Sequence, residues 1–490
     1  MDMKSSPLVL LNDPSLLRTN ALINGEWVGG KSRFDVIDPA TSQKLVDVAD
    51  LGVIETRAAV DAANKAFPLW RSKTAKERGA ILMKWFHLMI QHADDLARIM
   101  TAEQGKPLAE AKGEVVYGAS FIEWFAEEGK RVYGETIPTT DANKRYLVIK
   151  QAMGVCAAIT PWNFPIAMIT RKVGPALAAG CPVIVKPAGQ TPLSALAIAE
   201  LGQRAGLPPG VLNVITADKS AEIGKLLCES EIVRHLSFTG STEVGRILAA
   251  QCAPTIKKLS LELGGNAPFI VFDDADIDSA VDGALASKYR NAGQTCVCAN
   301  RLYVQDTVYD QFVEKLAAKA KAIKVGNGFE DGVTQGPMID DNAIKKIESH
   351  VADALSKGAK LLTGGKKFGD RFFEPTVLTD TTSEMLCARE ETFGPVAPVF
   401  RFKTEEEALA MANATEFGLA AYFYSRDIGR IFRVGEGLES GMVGVNTGLI
   451  STAEVPFGGV KQSGQGREGS RHGIEDYVEI KYLALGDILK

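Results

Sequence analysis

The chain has 490 residues, 46% hydrophobic and 23% charged, with 60 acidic against 55 basic side chains and a net charge of -5. That length exceeds one ordinary hydrophobic core, so two large lobes are expected, and the composition excludes extensive disorder. The acidic balance argues against nucleic acid as a main partner, since phosphate backbones attract net-basic surfaces.

The segment Met1 to Leu17 carries Asp2 and Asp13 and lacks a small-residue cleavage site after a basic start, so it does not read as a signal peptide. No apolar run is long enough for a transmembrane helix, and no membrane association is expected. Short strands are predicted between residues 20 and 50, in "LINGEWV", "FDVIDPA" and "KLVDVAD". Helical periodicity follows from about Val53 to Glu128. "RYLVIKQAMGVCAAIT" alternates and predicts a hairpin with its turn near Met153 and Gly154.

From Val155 short apolar strands alternate with helices: "VCAAIT", "CPVIVKP", "VLNVIT", "HLSFTG" and "KKLSLEL" are each separated by a helical stretch. That pattern predicts an α/β fold with a parallel sheet covered on both faces, whose ligands sit at the carboxyl ends of the strands. The residues to watch are therefore Thr160 to Asn163, Lys186 to Gly189, and Gly240 with Ser241. A second α/β pattern runs from "APFIVF" to "SGMVGVN", with long helices at about 307–323, 341–357 and 404–414. The last segment, "DYVEIKYLALGDIL", reads as a strand that, with the hairpin near 145–155, could pair with another subunit or cap its own chain.

The seven cysteines (156, 181, 228, 252, 296, 298, 387) are scattered and odd in number, which suits reduced thiols of the cytoplasm. Only Cys296 and Cys298 lie close together, with no histidine near, so no metal site is expected. Cys296 sits in "RNAGQTCVCANR", a polar, Gly-containing turn that suits a reactive thiolate as well as a packed cysteine. Glu262 ends a strand in "LELGGNAP", where a carboxylate can serve as a general base or merely terminate the strand. Asn163 in "TPWNFP" lies on a turn stiffened by two prolines, from which its amide can donate to a developing oxyanion.

The motifs "TPWNFP", "KPAGQTP", "FTGSTEVG", "LELGGNAP", "GQTCVCANR", "EETFGPV" and "PFGGVKQSGQGRE" are together specific. In their order and spacing the chain resembles the aldehyde dehydrogenase superfamily along essentially its whole length. The resemblance implies two Rossmann-like α/β lobes and a small β oligomerisation element. Residues 1–130 and 150–263 would bind the dinucleotide, 264–475 would carry the nucleophile, and 131–149 with 476–490 would assemble a homodimer or homotetramer. It also implies that Cys296 attacks an aldehyde, that Asn163 and the Cys296 backbone N–H hold the oxyanion, and that Glu262 activates the water that hydrolyses a thioester.

For the cofactor, the resemblance places Thr160, Trp162, Lys186, Ala188, Gly189, Gly240, Ser241, Leu263, Glu391 and Phe393 around a dinucleotide. Gly240 and Ser241 precede a helix whose N-terminus can face a pyrophosphate, although "GSTEVG" is not the G-x-G-x-x-G fingerprint. NAD-preferring relatives commonly carry Glu where this chain has Gly189; glycine removes that charge, so NADP is favoured and NAD permitted. For the substrate, Arg171, Arg290 and Ser451 stand where relatives acting on apolar aldehydes tend to be apolar. Two guanidinium groups and a hydroxyl can grip a carboxylate, unless each arginine instead pairs with a protein carboxylate. The combination resembles the branch that oxidises succinate semialdehyde, with glutarate semialdehyde as the alternative. Phe164 and Phe457 would line the tunnel. Within this branch Cys298 is implicated in a reversible disulfide with Cys296, though a silent neighbouring thiol is equally compatible.

Overall fold

A computed structural model describes residues 7–487. The first six residues of the segment weighed as a leader, and the last three of the terminal strand, lie outside the described residues. The early strands are β1 (Ala21–Ile23), β2 (Glu26–Val28), β3 (Ser32–Asp38) and β4 (Gln43–Asp50). Four helices follow: α1 (Val53–Ser72), α2 (Ala75–Gln91), α3 (Ala93–Gln104) and α4 (Leu108–Glu128). The start of α2 is written in its residues, because the Thr74 hydroxyl accepts the Glu77 N–H while the Glu77 carboxylate accepts the Thr74 N–H. Such a reciprocal box satisfies two amides that the first turn would otherwise leave unpaired. Among the described residues no helix is long and apolar enough to cross a membrane.

Two short strands, β5 (Glu135–Ile137) and β6 (Lys144–Ala152), precede the alternating segment. There β7 (Val155–Ile159), α5 (Ala167–Ala179), β8 (Val183–Lys186), α6 (Pro192–Ala205), β9 (Leu212–Val214), α7 (Ala221–Glu229), β10 (Val233–Thr239), α8 (Thr242–Cys252) and β11 (Lys258–Glu262) succeed one another. They build an eight-stranded sheet in the order β2-β1-β9-β8-β7-β10-β11, closed at its far edge by Gly464–Gln465. Its central strands β8, β7, β10 and β11 are parallel. Every residue of α5 is buried, which explains why its sequence reads apolar nearly all round.

The hairpin predicted around Met153 and Gly154 does not form. Strand β6 pairs with β5 on one side and with the terminal strand Val478–Gly486 on the other, whereas β7 enters the large sheet. Gly154, with φ +141°, provides the break between the two sheets. The alternation was real on both sides of that glycine, but it belonged to strands of different sheets.

The second lobe holds a seven-stranded sheet around β12 (Ala267–Val271) and β13 (Ala299–Gln305), again largely parallel. Its long helices are Tyr309–Lys321, Asp341–Ser356 and Glu405–Asn413, close to their predicted spans, and Ile428–Gly437 is a helix that the periodicity did not announce. The lobes meet where β11 ends and β12 begins, across only Leu263, Gly264, Gly265 and Asn266.

Candidate active site

Register along the first sheet pairs Ile159 with Lys186, Phe238 with Ile159, and Thr239 with Glu262. Parallel strands so aligned end together, and their carboxyl ends deliver Thr160, Lys186, Gly240 and Glu262 to one edge. The second lobe faces that edge with the amino ends of its strands: Gly265 leads into β12, and Cys296 stands just before β13.

One wall of the cleft is built from the first group. Lys186 is buried, and its Nζ donates to the Ala217 carbonyl at 3.2 Å. Burial pulls its ammonium down to about 8, against the opposing pull of Asp218 and Asp50. Ser241 caps α8 by accepting the Val244 N–H. Gly240 lies against the Phe238 ring, where a Cβ would come within 2.4 Å of the ring carbon, so no larger residue fits. Thr160 Oγ1 is buried with no partner, the kind of orphaned group a ligand satisfies. Ala188 and Gly189 are half-buried at the end of β8, and Leu263 lies buried beneath α8 against Gly245. Gly189 and Asp218 share a cavity of about 280 Å³ with Gln190 and Arg371.

From the other lobe, Glu391 Oε1 accepts the Gly265 N–H at 3.2 Å. Burial pushes the Glu391 carboxyl up to about 7, and that hydrogen bond opposes the shift. Phe393, held at φ +54°, meets the Trp162 ring edge-on at 5.8 Å, so the two aromatics flank the cleft from opposite lobes.

Asn163 is buried, and its Nδ2 donates to the Gln294 carbonyl at 3.0 Å, which leaves the second N–H of that amide for another acceptor. The nucleophile loop is bent by Asn291 and Ala292 at φ +49° and +56°. A left-handed alanine costs about 1–2 kcal/mol, so surrounding bonds must hold it. They do: Gln104 donates to Asn291 Oδ1 at 3.0 Å, and Glu110 accepts the Asn291 N–H at 3.0 Å. The Cys296 carbonyl packs on Gly265, where an added Cβ would come within 2.4 Å of it. The second glycine of "LELGGNAP" thus lets the nucleophile loop reach the strand that carries Glu262.

Cys296 is half-buried. Burial pushes its thiol up to about 12, while Arg171 and Arg290 work in the other direction. Burial likewise raises Glu262 well above the carboxylate range, reinforced by Glu468 and opposed by Arg171, Lys172 and Arg467. Glu262 Oε2 is buried and unpartnered. Cys298 Sγ lies 3.2 Å from the Lys288 carbonyl, and all seven cysteines are free thiols.

The expected three-residue anion clamp is only partly assembled. Arg290 and Ser451 line one cavity of about 270 Å³ together with Phe164, Tyr117, Lys106, Glu110 and Glu114. Arg171 does not line it. Its guanidinium is fully buried, ion-paired with Glu468 at 2.8 Å and stacked 3.7 Å over the Phe457 ring. Pairing with a protein carboxylate, the alternative open from sequence, therefore describes Arg171, while Arg290 holds its guanidinium 4.9 Å over Phe164. One guanidinium nitrogen of Arg171, Nη2, is buried with no partner.

The sequence reading missed Lys172, which also pairs with Glu468, Gln104 behind the cysteine loop, and Lys106, Glu110 and Glu114, which line the cavity of Arg290 and Ser451. A signal existed for each group. "RK" interrupts the otherwise apolar helix α5, and "GKPLAEA" puts a lysine between Gly and Pro at a helix junction.

Two α/β lobes meeting over a loop cysteine, a strand-end glutamate and a buried asparagine define a cysteine-dependent dinucleotide oxidoreductase, and the chain belongs to the aldehyde dehydrogenase family, whose model it matches over residues 27–483. It is 64% identical to the succinate-semialdehyde dehydrogenase [NADP(+)] GabD of Escherichia coli K12 over 97% of this chain and 99% of that one. It is 62% identical to a glutarate-semialdehyde dehydrogenase of Pseudomonas putida, over 97% and 99% of the two chains. The crystal structure of succinate-semialdehyde dehydrogenase from Burkholderia pseudomallei is similar to it with a TM-score of 0.96 and 64% identity, over 97% of this chain and 100% of that one.

Proposed function

We propose that this enzyme oxidises succinate semialdehyde to succinate through a thiohemiacetal on Cys296 that gives up a hydride to become a thioester. The observation that carries the substrate reading is the cavity in which Arg290 and Ser451 face Phe164. A guanidinium beside a hydroxyl suits a carboxylate at the far end of a short aldehyde. The second reading, glutarate semialdehyde, is supported by the same cavity, because one methylene changes binding by only about 1–3 kcal/mol.

In the chemistry, Cys296 Sγ attacks the aldehyde carbon after losing its proton. The second N–H of the Asn163 amide and the Cys296 backbone N–H receive the oxygen as its charge grows. When bound, NADP or NAD supplies the hydride acceptor. The chain's part is to hold it between Lys186, Ser241 and Thr160 on one side and Glu391 and Phe393 on the other, beside Trp162, Ala188, Gly189, Gly240 and Leu263. Glu262 Oε2, free of protein partners, then takes a proton from the water that cleaves the thioester. Cys298 would have to release the Lys288 carbonyl before it could bridge to Cys296.

Gly189 favours NADP, since no carboxylate at that position meets the 2′-phosphate. Asp218 lies in the same cavity, however, and its charge tempers that preference and leaves NAD usable. Steady-state kinetics with succinate, glutarate and longer semialdehydes, each with NADP and NAD, test the reading. The expected order puts the acid semialdehydes first in kcat/KM, with NADP ahead of NAD. A simple aliphatic aldehyde as best substrate would overturn the carboxylate reading.

The sheet of β5, β6 and Val478–Gly486 leaves Ile137, Ile480 and Tyr482 exposed, and its terminal strand has a free edge. An apolar surface on an open edge supports a homo-oligomer, a dimer or tetramer. Sedimentation should give a mass at least twice that of one chain; a monomer at micromolar concentration would exclude this assembly.

A further inference from the structure

The turn that carries Asn163 is held by a buried charge pair on the wall of the cavity that Arg290 and Ser451 also line. Lys106 precedes α4 and Glu114 lies within it; both side chains are 1% exposed, and their charged ends are 2.5 Å apart. Lys106 Nζ donates to the Asn163 carbonyl at 2.8 Å and lies 4.0 Å over the Phe164 ring. Glu114 Oε1 accepts the N–H groups of Ile166 at 3.0 Å and Ala167 at 3.2 Å. The pair therefore grips the turn at both ends, at the carbonyl before Phe164 and at the amides after Pro165. The same carbonyl also accepts from Asn291 Nδ2 at 3.0 Å, so the grip extends to the nucleophile loop.

Two features argue that this is more than lobe stability. Burying an ion pair costs desolvation that a pair of apolar residues would avoid, so stability alone gives little reason to place one here. The contacts also bracket one residue, Asn163, with Lys106 on its carbonyl and Glu114 on the amides of Ile166 and Ala167 just beyond it. The Asn163 amide must lie within hydrogen-bond reach of an oxygen that is charged only in the transition state. We infer that Lys106 and Glu114 are positioning residues for the reaction: the ammonium fixes the Asn163 carbonyl, and the carboxylate fixes the start of α5, so that the Asn163 amide is aimed before substrate arrives.

This inference rests on the reading of Asn163 as the oxyanion donor, and a double-mutant cycle separates the two. The paired exchange Lys106→Met with Glu114→Gln removes both charges and leaves no orphan ion. In the full-length protein with cofactor and succinate semialdehyde, it should lower kcat about 100-fold, the usual cost of a misplaced catalytic group, with cofactor affinity and melting temperature little changed. Asn163→Ala should lower kcat by about 100- to 1,000-fold. In the Asn163→Ala background the paired exchange should then cost almost nothing further.

A full second loss on top of Asn163→Ala would overturn the positioning role, because the pair would then act elsewhere. Unchanged turnover of the paired variant beside an impaired Asn163→Ala would overturn it too. Unchanged turnover of Asn163→Ala would instead refute the oxyanion reading itself. Should the paired variant fail to fold, Glu114→Gln alone, which keeps an oxygen toward Ile166 and Ala167, enters the same cycle with the same outcomes.

Discussion

Replacing Cys296 with alanine should lower aldehyde oxidation by roughly six orders of magnitude, the scale seen when a covalent catalyst loses its nucleophile. Cofactor binding should survive, because the groups around the dinucleotide belong mainly to the ends of β7, β8 and β10 and to Glu391. The shape of the loop should survive as well. Its left-handed turn is held by Gln104, Glu110 and Gln294 acting on Asn291, and the Cys296 thiol takes no part in those bonds. Cofactor titration and turnover on the same preparation check this. Oxidation at the normal rate would refute the thioester.

The second large effect belongs to Arg290. Exchanging it for methionine keeps much of the side chain's bulk over Phe164 while removing the charge that faces Ser451. Losing one partner of a desolvated charge pair costs about 2–5 kcal/mol, which corresponds to roughly 30- to 4,000-fold in kcat/KM for succinate semialdehyde. An aliphatic aldehyde of the same length brings no carboxylate, so its kcat/KM should hold or rise. Parallel progress curves for the two substrates decide the matter. Equal losses on both would mean that Arg290 supports the nucleophile loop and does not read the substrate.

Much of this architecture was legible because periodicity and strand ends are local properties. The alternation of short apolar strands with helices after Val155 is what a covered parallel sheet requires, and by itself it places Thr160, Lys186, Gly240 and Glu262 at strand ends. Cys296 was not reachable by that rule, since it lies at the amino end of β13, and only its loop chemistry and family motif pointed to it. The hairpin at Met153 failed because two alternating strands in sequence need not be partners in space. The ion pair of Arg171 was unreadable for another reason. Its partner Glu468 lies far along the chain, and no local pattern says which carboxylate a buried arginine will meet. Lys106 and Glu114 were unread for the same reason: their targets are backbone groups, the Asn163 carbonyl and the Ile166 and Ala167 amides, not side chains with a signature of their own.

The far edge of the first sheet has a consequence for how the chain reaches its native state. Strand β11 is completed only by Gly464–Gln465, and nearby the Ser463 hydroxyl donates to the Gly264 carbonyl, a bond that spans 199 residues of sequence. Every strand that precedes Glu262 leaves the ribosome long before that edge arrives. The first lobe therefore waits, one flank open, for nearly the whole second lobe to be made, and the closing of so large a loop is a slow, non-local event. Glu262, on the strand beside that flank and paired with Gly464, is among the last of the cleft side chains to be fixed.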